Sequence, residues 1–275
     1  MNHLIKTTVF VFIAILMLTA CNDKNDAVGP AVVDSQKNKF VSNDPDPKVS
    51  WTDFMNDNFD SGWNIDAKEG GSWWLQSSTG INWAIIHANA DQRGRAEVDR
   101  FLTRFNGNDQ IVTIKGKFKM ETTADGHENK GGWIMQTMAW SFTDPAGVKQ
   151  YKPLVAARMR EASLDYLVYD YIWTSDGHPQ VKQGYPIVKT IETGAMAGRT
   201  VELALKIKIS NGSTGFVKPN LDGVNITSAD YSGKTYPTIF PTADQQIQWK
   251  GGCYAAWEGV HHAKIGVYYL YTDAF

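Results

Sequence analysis

VELALKIKIS, residues 201–210, places an apolar side chain at every second position. These apolar residues are Val201, Leu203, Leu205, Ile207 and Ile209, and the positions between them are mostly charged or polar. Successive side chains of a β-strand point to opposite faces, so the pattern predicts a strand that is buried on one face and solvated on the other.

Short runs rich in aromatic and β-branched residues fill the chain on both sides of this stretch, from Trp51 onward. Gly, Asn, Asp and Pro separate the runs, and Asn-Gly at 211–212 and Asp-Gly at 222–223 are the positive-φ pairs that hairpin turns prefer. Only 185–198 and 244–252 are compatible with a short helix. The sequence therefore predicts an all-β sandwich or jelly roll. The runs are SWWLQSS, INWAIIHA, RAEVDRFLTRF, QIVTIKGKFKMET, GWIMQTMAWSF, PLVAARMRE, LDYLVYDYIW, RTVELALKIKIS, GFVKPNLDG and KIGVYYLYTDAF.

The first 20 residues have the layout of a secretory signal, with one lysine followed by the uncharged run VFVFIAILMLTA. This run is about a dozen residues long, whereas a membrane-spanning helix needs roughly 20. Residues 18–21, Leu-Thr-Ala-Cys, resemble the lipobox of bacterial lipoproteins, which implies that Cys21 is lipidated. We therefore expect a signal peptide at 1–20, a polar, flexible, lipidated tether at 21–50 and one domain at 51–275.

Lipid on Cys21 would leave Cys253 as the other cysteine of the chain, so no internal disulfide is expected. Asn22 is not the aspartate that resembles an inner-membrane retention signal, which favours the outer membrane, facing the periplasm or the cell surface. The net charge of −2 gives no basic footprint for nucleic acid. No phosphate, nucleotide or haem motif occurs, so we expect no cofactor. We also expect a monomer that contacts the membrane through its lipid alone.

Three segments place polar groups on what could be one face of a sheet. They are GRAEVDRF at 94–101, GGWIMQTMAW at 131–140 and HHAKIGVYYLY at 261–271. Period 2 puts Arg95, Glu97 and Asp99 on one side of the first segment, and His262, Lys264 and Tyr268 on one side of the third. A face with Arg, Gln, Lys and Tyr is suited to holding a polyhydroxylated anion.

In this order the segments resemble the three signature strands of the jelly-roll alginate lyases of polysaccharide lyase family 7, which have a concanavalin A-like two-sheet sandwich. Those signatures read R-S/T-E-L/V-R, Q-I/V-H and Y-F-K-A-G-V-Y-N-Q. RAEVDR resembles the first, QTM at 136–138 the second and KIGVY at 264–268 the third. Jelly-roll lyases for glucuronan and heparin share the lysine, glycine and tyrosine of the third signature.

The resemblance implies β-elimination across a uronic acid, which needs a neutralised carboxylate, a base for the C5 proton and an acid for the leaving oxygen. It implies Tyr268 as base and acid, Arg95 and Gln136 as carboxylate ligands and His262 as a further catalytic candidate. Lys264, Glu97 and Trp133 are the residues expected to bind substrate. Met138 and Asp99 stand where family members carry histidine and arginine, so His262, His87 and His127 are the candidates to replace the histidine.

Two other functions remain open. A lipid-anchored, lectin-like sandwich would bind polysaccharide without cleaving it, and Met138 and Asp99 favour this alternative. Glu97-Val-Asp99 also resembles the start of the E-x-D-x-x-E signature of family 16 glycoside hydrolases, but the last acid, which would fall at about Phe101 or Leu102, is absent. No metal site is expected, because His261 and His262 are adjacent and face opposite sides of a strand.

Overall fold

The computed structural model describes residues 63–66, 72–78, 81–88, 94–101, 109–143, 149–175, 178–238, 247–255 and 261–272. The predicted signal peptide, the tether and Cys21 lie outside these ranges. Within the described residues, no helix is both long and apolar enough to cross a bilayer.

Two antiparallel sheets contain most of the strands, which are numbered here in chain order. The seven-stranded sheet has the spatial order β1 (Trp63–Asp66), β4 (Gly94–Phe101), β18 (Ile247–Ala255), β8 (Gly131–Thr143), β9 (Lys149–Arg160), β10 (Ser163–Val168) and β13 (Ile187–Thr193). The eight-stranded sheet has the order β16 (Val224–Asn225), β15 (Phe216–Leu221), β14 (Thr200–Lys208), β5 (Ile111–Met120), β19 (His261–Thr272), β3 (Ile81–Ala88) and β2 (Ser72–Ser78), with β17 (Tyr231–Ser232) paired to β15.

Two short hairpins complete the strand set of the described residues. One pairs β6 (Thr123–Ala124) with β7 (His127–Glu128), and the other pairs β11 (Tyr171–Trp173) with β12 (Pro179–Val181). Among the residues that the structure describes, one 3-10 turn covers Thr227–Ala229. The predicted all-β, two-sheet jelly roll is confirmed.

The core lies between the two sheets and follows the alternation that the sequence shows. On β14 the side chains of Val201, Leu203, Leu205 and Ile207 are fully buried. On the facing sheet, Ala96, Val98, Trp249 and Cys253 join the same apolar cluster. The residues between them therefore project from the outer face of their sheet.

Two local expectations were wrong. Both segments that were compatible with a helix form strands instead, at Ile187–Thr193 and Ile247–Ala255, because each is paired on the sheet. Asp222 and Gly223 have positive φ and close a two-residue hairpin, as predicted, whereas Asn211-Gly212 does not adopt this geometry. At 210–214 the Ser210 hydroxyl instead accepts the amide hydrogen of Gly212 and contacts the Thr214 hydroxyl at 3.0 Å.

Candidate functional site

One row of side chains crosses the seven-stranded sheet at a single level. Arg95 on β4 lies opposite Tyr254 on β18, and Tyr254 lies opposite Trp133 on β8. Trp133 lies opposite Arg158 on β9, which lies opposite Asp165 on β10. Directly opposed residues of antiparallel strands share a face, so these five form one continuous row, called here the Arg95 row.

Aromatic and cationic contacts hold the Arg95 row together. The guanidinium carbon of Arg95 lies 4.3 Å from the centroid of the Tyr254 ring, and Trp133 meets this ring edge-on at 5.6 Å. On the other side of Trp133, Tyr169 follows at a centroid distance of 6.0 Å. The ring of Tyr254 therefore packs against a cation on one side and an aromatic edge on the other.

A second row, called here the Lys250 row, crosses the same face four residues further along β4. It consists of Asp99 on β4, Lys250 on β18 and Gln136 on β8, again directly opposed in register. The ammonium of Lys250 lies 3.9 Å from a carboxylate oxygen of Asp99, and both side chains are almost completely buried. The negative charge of Asp99 is therefore balanced within the sheet.

Glu97 lies between the two rows and connects strands that are not neighbours. Its Oε1 accepts a hydrogen bond from Nε2 of Gln136 at 2.6 Å, and its Oε2 lies 3.4 Å from Nε of Arg95. β4 and β8 flank β18, so their backbones are about 10 Å apart. Glu97 thus bridges the intervening strand and links Arg95 to Gln136.

Gly252 on β18 provides the space for this bridge. It lies opposite Glu97 and has a φ of +138°, next to the register shift between Gly251 and Tyr254. A Cβ at this position would lie 2.4 Å from the carbonyl oxygen of Ala96 and 2.9 Å from Cα of Glu97. Position 252 therefore requires glycine, and the bulge beside it sets the direction of Tyr254.

Burial distinguishes this arrangement from an ordinary solvated sheet face. Glu97 and Gln136 are fully buried, and Oε1 of Gln136 has no hydrogen-bond partner among the described residues. Burying charged groups is costly unless they are paired, so a cluster of buried polar groups on a strand face is a candidate for function.

Cations extend the Arg95 row beyond Trp133. Asp165 is buried and binds Arg158 at 3.1 Å and Arg160 at 2.9 Å, and it accepts further hydrogen bonds from Ser163 and Thr190. An open cleft of about 460 Å³ adjoins these groups and is lined by Lys130, Arg158, Arg160, Glu161, Ala162 and Ser163. Lys130 in this cleft pairs with Glu128 at 2.6 Å and with Glu161 at 2.5 Å, so all three cations of the cleft have carboxylate partners.

The structure brings together Arg95, Glu97, Gln136 and Trp133, but it separates them from the other predicted site residues. Tyr268, Lys264 and His262 lie on β19, which belongs to the eight-stranded sheet. The apolar residues that alternate with them, Ala263, Ile265 and Val267, are in the core, so the three point outward on the opposite side of the sandwich.

The prediction that Tyr268 shares a groove with Arg95 and Gln136 is therefore wrong. Tyr268 packs under the ammonium of Lys117 at 5.1 Å, and Lys264 pairs with Asp125 at 2.7 Å. His262 does not replace the family histidine either, because it contacts His87 and His127 on that other surface. Met138, at the histidine position, is almost completely buried beside the Lys250 row.

The central strand of the site, β18, also carries a sequence motif, which the sequence analysis did not single out. Lys250-Gly-Gly-Cys-Tyr254 repeats the lysine, glycine and tyrosine spacing of the third signature, as Lys264-Ile-Gly-Val-Tyr268 does. The second string matches the signature at one more position, Val267. Only the first lies on the strand between β4 and β8. Tyr254 and Lys250 are thus the residues that the structure adds.

Comparison with solved structures identifies proteins that are built in the same way. The chain superposes on an endo-β-1,4-glucuronan lyase from the fungus Trichoderma reesei with a TM-score of 0.54 and 13% sequence identity, over 78% of this chain and 91% of that chain. The chain therefore shares its jelly-roll fold with this glucuronan lyase.

Two alginate lyases are further matches. The PL-14 alginate lyase from the marine Aplysia kurodai has a TM-score of 0.49 at 12% identity, covering 87% of this chain and 100% of its own. A family 7 alginate lyase in complex with product has a TM-score of 0.47 at 14% identity, covering 84% of this chain and 93% of its own. No family model matches the sequence, and no curated protein sequence matches it.

Proposed function

We propose that the outer face of the seven-stranded sheet binds a uronic-acid-containing polysaccharide, of the glucuronan or alginate type, and cleaves it by β-elimination. The observation that carries this proposal is the contact between Arg95 and Tyr254, with Gln136 linked to Arg95 through Glu97. It places a guanidinium, an amide and a phenol in one site. The shared fold of the glucuronan lyase gives independent support.

In this proposal Arg95 binds the substrate carboxylate, and the buried Gln136 holds Glu97 in place against Arg95. Neutralising that carboxylate makes the C5 proton more acidic, because charge that develops on the carboxylate is stabilised. The phenolate of Tyr254 takes the C5 proton, the C5–H electrons form the C4–C5 double bond, and the C4–O bond breaks. The leaving oxygen then receives a proton from the Tyr254 hydroxyl, so a single residue acts as base and acid.

The decisive assay follows the unsaturated product, which absorbs at about 235 nm, while the full chain is mixed with glucuronan, alginate or a heparin-like polymer. Tyr254→Phe is expected to lower the rate by about 100-fold or more, because it removes the proton-transfer group. Tyr268→Phe is the matched control, since it also removes a phenolic hydroxyl, but from a tyrosine on the other sheet. We expect this variant to retain the wild-type rate. Loss of activity in Tyr268→Phe with retention in Tyr254→Phe would overturn the assignment.

Polysaccharide binding without cleavage is the second candidate, and one observation favours it. Met138 replaces the histidine of the second signature and is buried, so it offers no proton-transfer group. Tyr254, Trp133 and Tyr169 would still form an aromatic row for stacking sugars. Binding measured by calorimetry, with no rise in absorbance for any of the three polymers, would support this function and exclude the lyase.

We also propose that the protein is held at the outer membrane by lipid on Cys21, facing the periplasm or the cell surface. The lipobox-like residues Leu18–Cys21 and the polar segment that follows support this location. A lipid-tethered domain would meet soluble polymer at the membrane surface.

A further inference from the structure

Three histidines from three separate strands meet on the outer face of the eight-stranded sheet. His87 is on β3, His127 on β7 and His262 on β19. One nitrogen of each ring lies within 4.8 Å of a nitrogen of both others. This cluster, called here the His87 cluster, is on the opposite side of the sandwich from the Arg95 row.

Backbone pairing brings the three histidines together. His87 and His262 are directly opposed on the β3–β19 ladder, and their rings meet at a centroid distance of 4.7 Å. His127 follows a two-residue turn, Asp125-Gly126, in which both residues have positive φ. This is the hairpin geometry that Asp-Gly favours, and it brings the His127 ring to 4.0 Å from that of His262.

Asn129 fixes the hairpin to β19. Its buried amide donates hydrogen bonds to the carbonyl oxygens of Glu121 at 2.8 Å and Lys264 at 2.9 Å, and its Oδ1 accepts the amide hydrogen of Lys264 at 3.2 Å. The amide of Lys130 also donates to the carbonyl oxygen of His262 at 2.8 Å. The placement of His127 is thus set by the fold and needs no ligand.

We propose that His87, His127 and His262 bind one divalent transition-metal ion, with Zn²⁺ the best fit, and leave the fourth coordination position open. Imidazole is a preferred ligand of Zn²⁺, and three histidines with one open position form a known tetrahedral pattern. Zn–N bonds of about 2.0–2.1 Å require nitrogen pairs roughly 3.4 Å apart, so the nitrogens, which lie within 4.8 Å of one another, must approach by at most about 1.4 Å. His127 is exposed on a short hairpin and can make most of this movement by changing its rotamer.

The chemistry of the cluster supports metal binding over simple packing. Nδ1 of His262 is buried and has no hydrogen-bond partner among the described residues. Lys264 is the nearby cation, but its ammonium is paired with Asp125 at 2.7 Å.

The test uses the full chain, purified without a polyhistidine tag and treated with chelator. Zn²⁺ is titrated in competition with a chromophoric chelator, and Co²⁺ is added separately to record the visible absorption of a tetrahedral site. His127→Ala removes one ligand at an exposed position, and His178→Ala is the matched control because it removes an exposed histidine outside the cluster. Denaturant midpoints establish that both variants are folded.

One Zn²⁺ per wild-type chain is expected, with the same affinity in His178→Ala and an affinity weaker by about 100-fold or more in His127→Ala. The tetrahedral Co²⁺ bands are expected to disappear in His127→Ala alone. Absence of Zn²⁺ binding by the wild-type chain would overturn the proposal, as would equal affinity in His127→Ala and wild type. None of these readouts depends on the proposed lyase activity.

Discussion

Glu97 and Gln136 form a 2.6 Å hydrogen bond although a complete strand separates the strands that carry them. The same carboxylate is paired with Arg95, so Glu97 positions the group that is proposed to bind the substrate carboxylate. Glu97 was expected to bind substrate. Its burial and its contacts instead indicate a positioning residue that acts through Arg95.

Glu97→Gln tests this role at nearly constant volume. The amide still fills the space over Gly252 but loses the charge that holds Arg95, so we expect kcat/KM to fall by about 100-fold, as for a small misplacement of reacting groups. The unfolding free energy is expected to fall by about 1–3 kcal/mol, because a buried charge-assisted contact is lost. Steady-state kinetics and urea titration measure the two effects.

Glu202→Gln is the control for that substitution. Glu202 lies on the other sheet, where it pairs with Lys115 and accepts a hydrogen bond from Tyr269, and it has no contact with either row. Its replacement should leave kcat/KM unchanged. Equal kinetics for Glu97→Gln and wild type would show that Glu97 does not position the site.

Gly252→Ala is expected to damage both stability and activity. The added Cβ would lie 2.4 Å from the carbonyl oxygen of Ala96, so β18 must move away from β4 and carry Tyr254 with it. Gly184→Ala provides a matched comparison, because Gly184 also has a positive φ but nothing lies within 4 Å of its added Cβ. The control should lose only about 1–2 kcal/mol, the cost of a left-handed alanine.

Thermal or urea unfolding and the 235 nm assay together separate these two substitutions. We expect Gly252→Ala to lose clearly more stability than Gly184→Ala, and we expect it alone to lose activity. Similar losses of stability with full activity in both variants would show that the bulge at Gly252 is not required.

Acid should destabilise the domain through His261. Burial is the largest cause that lowers its pKa from 6.5, and Nε2 lies 2.6 Å from the carbonyl oxygen of Gly131. Below about pH 6.5 the folded state therefore binds fewer protons than the unfolded state. The stability that neutral, buried His261 contributes is present above that pH and is lost as the pH falls. The pKa values of His87 and His262 are lowered too, and they contribute with the same sign.

Urea unfolding at about pH 7.5 and about pH 5.5 measures this dependence. His261→Gln should reduce the difference between the two free energies of unfolding, because the variant no longer takes up that proton on unfolding. His178→Gln, at an exposed position, should leave the difference unchanged. An equal or larger pH dependence in His261→Gln would contradict the prediction.

If Cys21 is lipidated, replacing it should change how the protein divides between the membrane and soluble fractions. Cys21→Ser should prevent incorporation of labelled fatty acid and move the protein from the membrane fraction to the soluble fraction, because lipid is the expected anchor. Cys253→Ser is a control, since this cysteine is buried in the core of the sandwich. Fatty-acid labelling that persists in Cys21→Ser would rule out Cys21 as the acceptor.

The sequence by itself determined that the chain is a β sandwich and that Arg95, Glu97 and Gln136 occupy polar positions on strand faces. These features follow from alternation along single strands, which is a local property of a backbone with period 2. The Asp222-Gly223 hairpin was predictable for the same reason, because a two-residue turn depends on its own φ values.

Only the tertiary structure decided which strand lies between β4 and β8, and therefore that Tyr254, not Tyr268, faces Arg95. Two strings with the same lysine, glycine and tyrosine spacing occur within 247–272, and no local rule distinguishes them. Strand order depends on pairing between residues far apart in the chain. That pairing also brought His87, His127 and His262 together, a cluster for which each strand alone contains no signal.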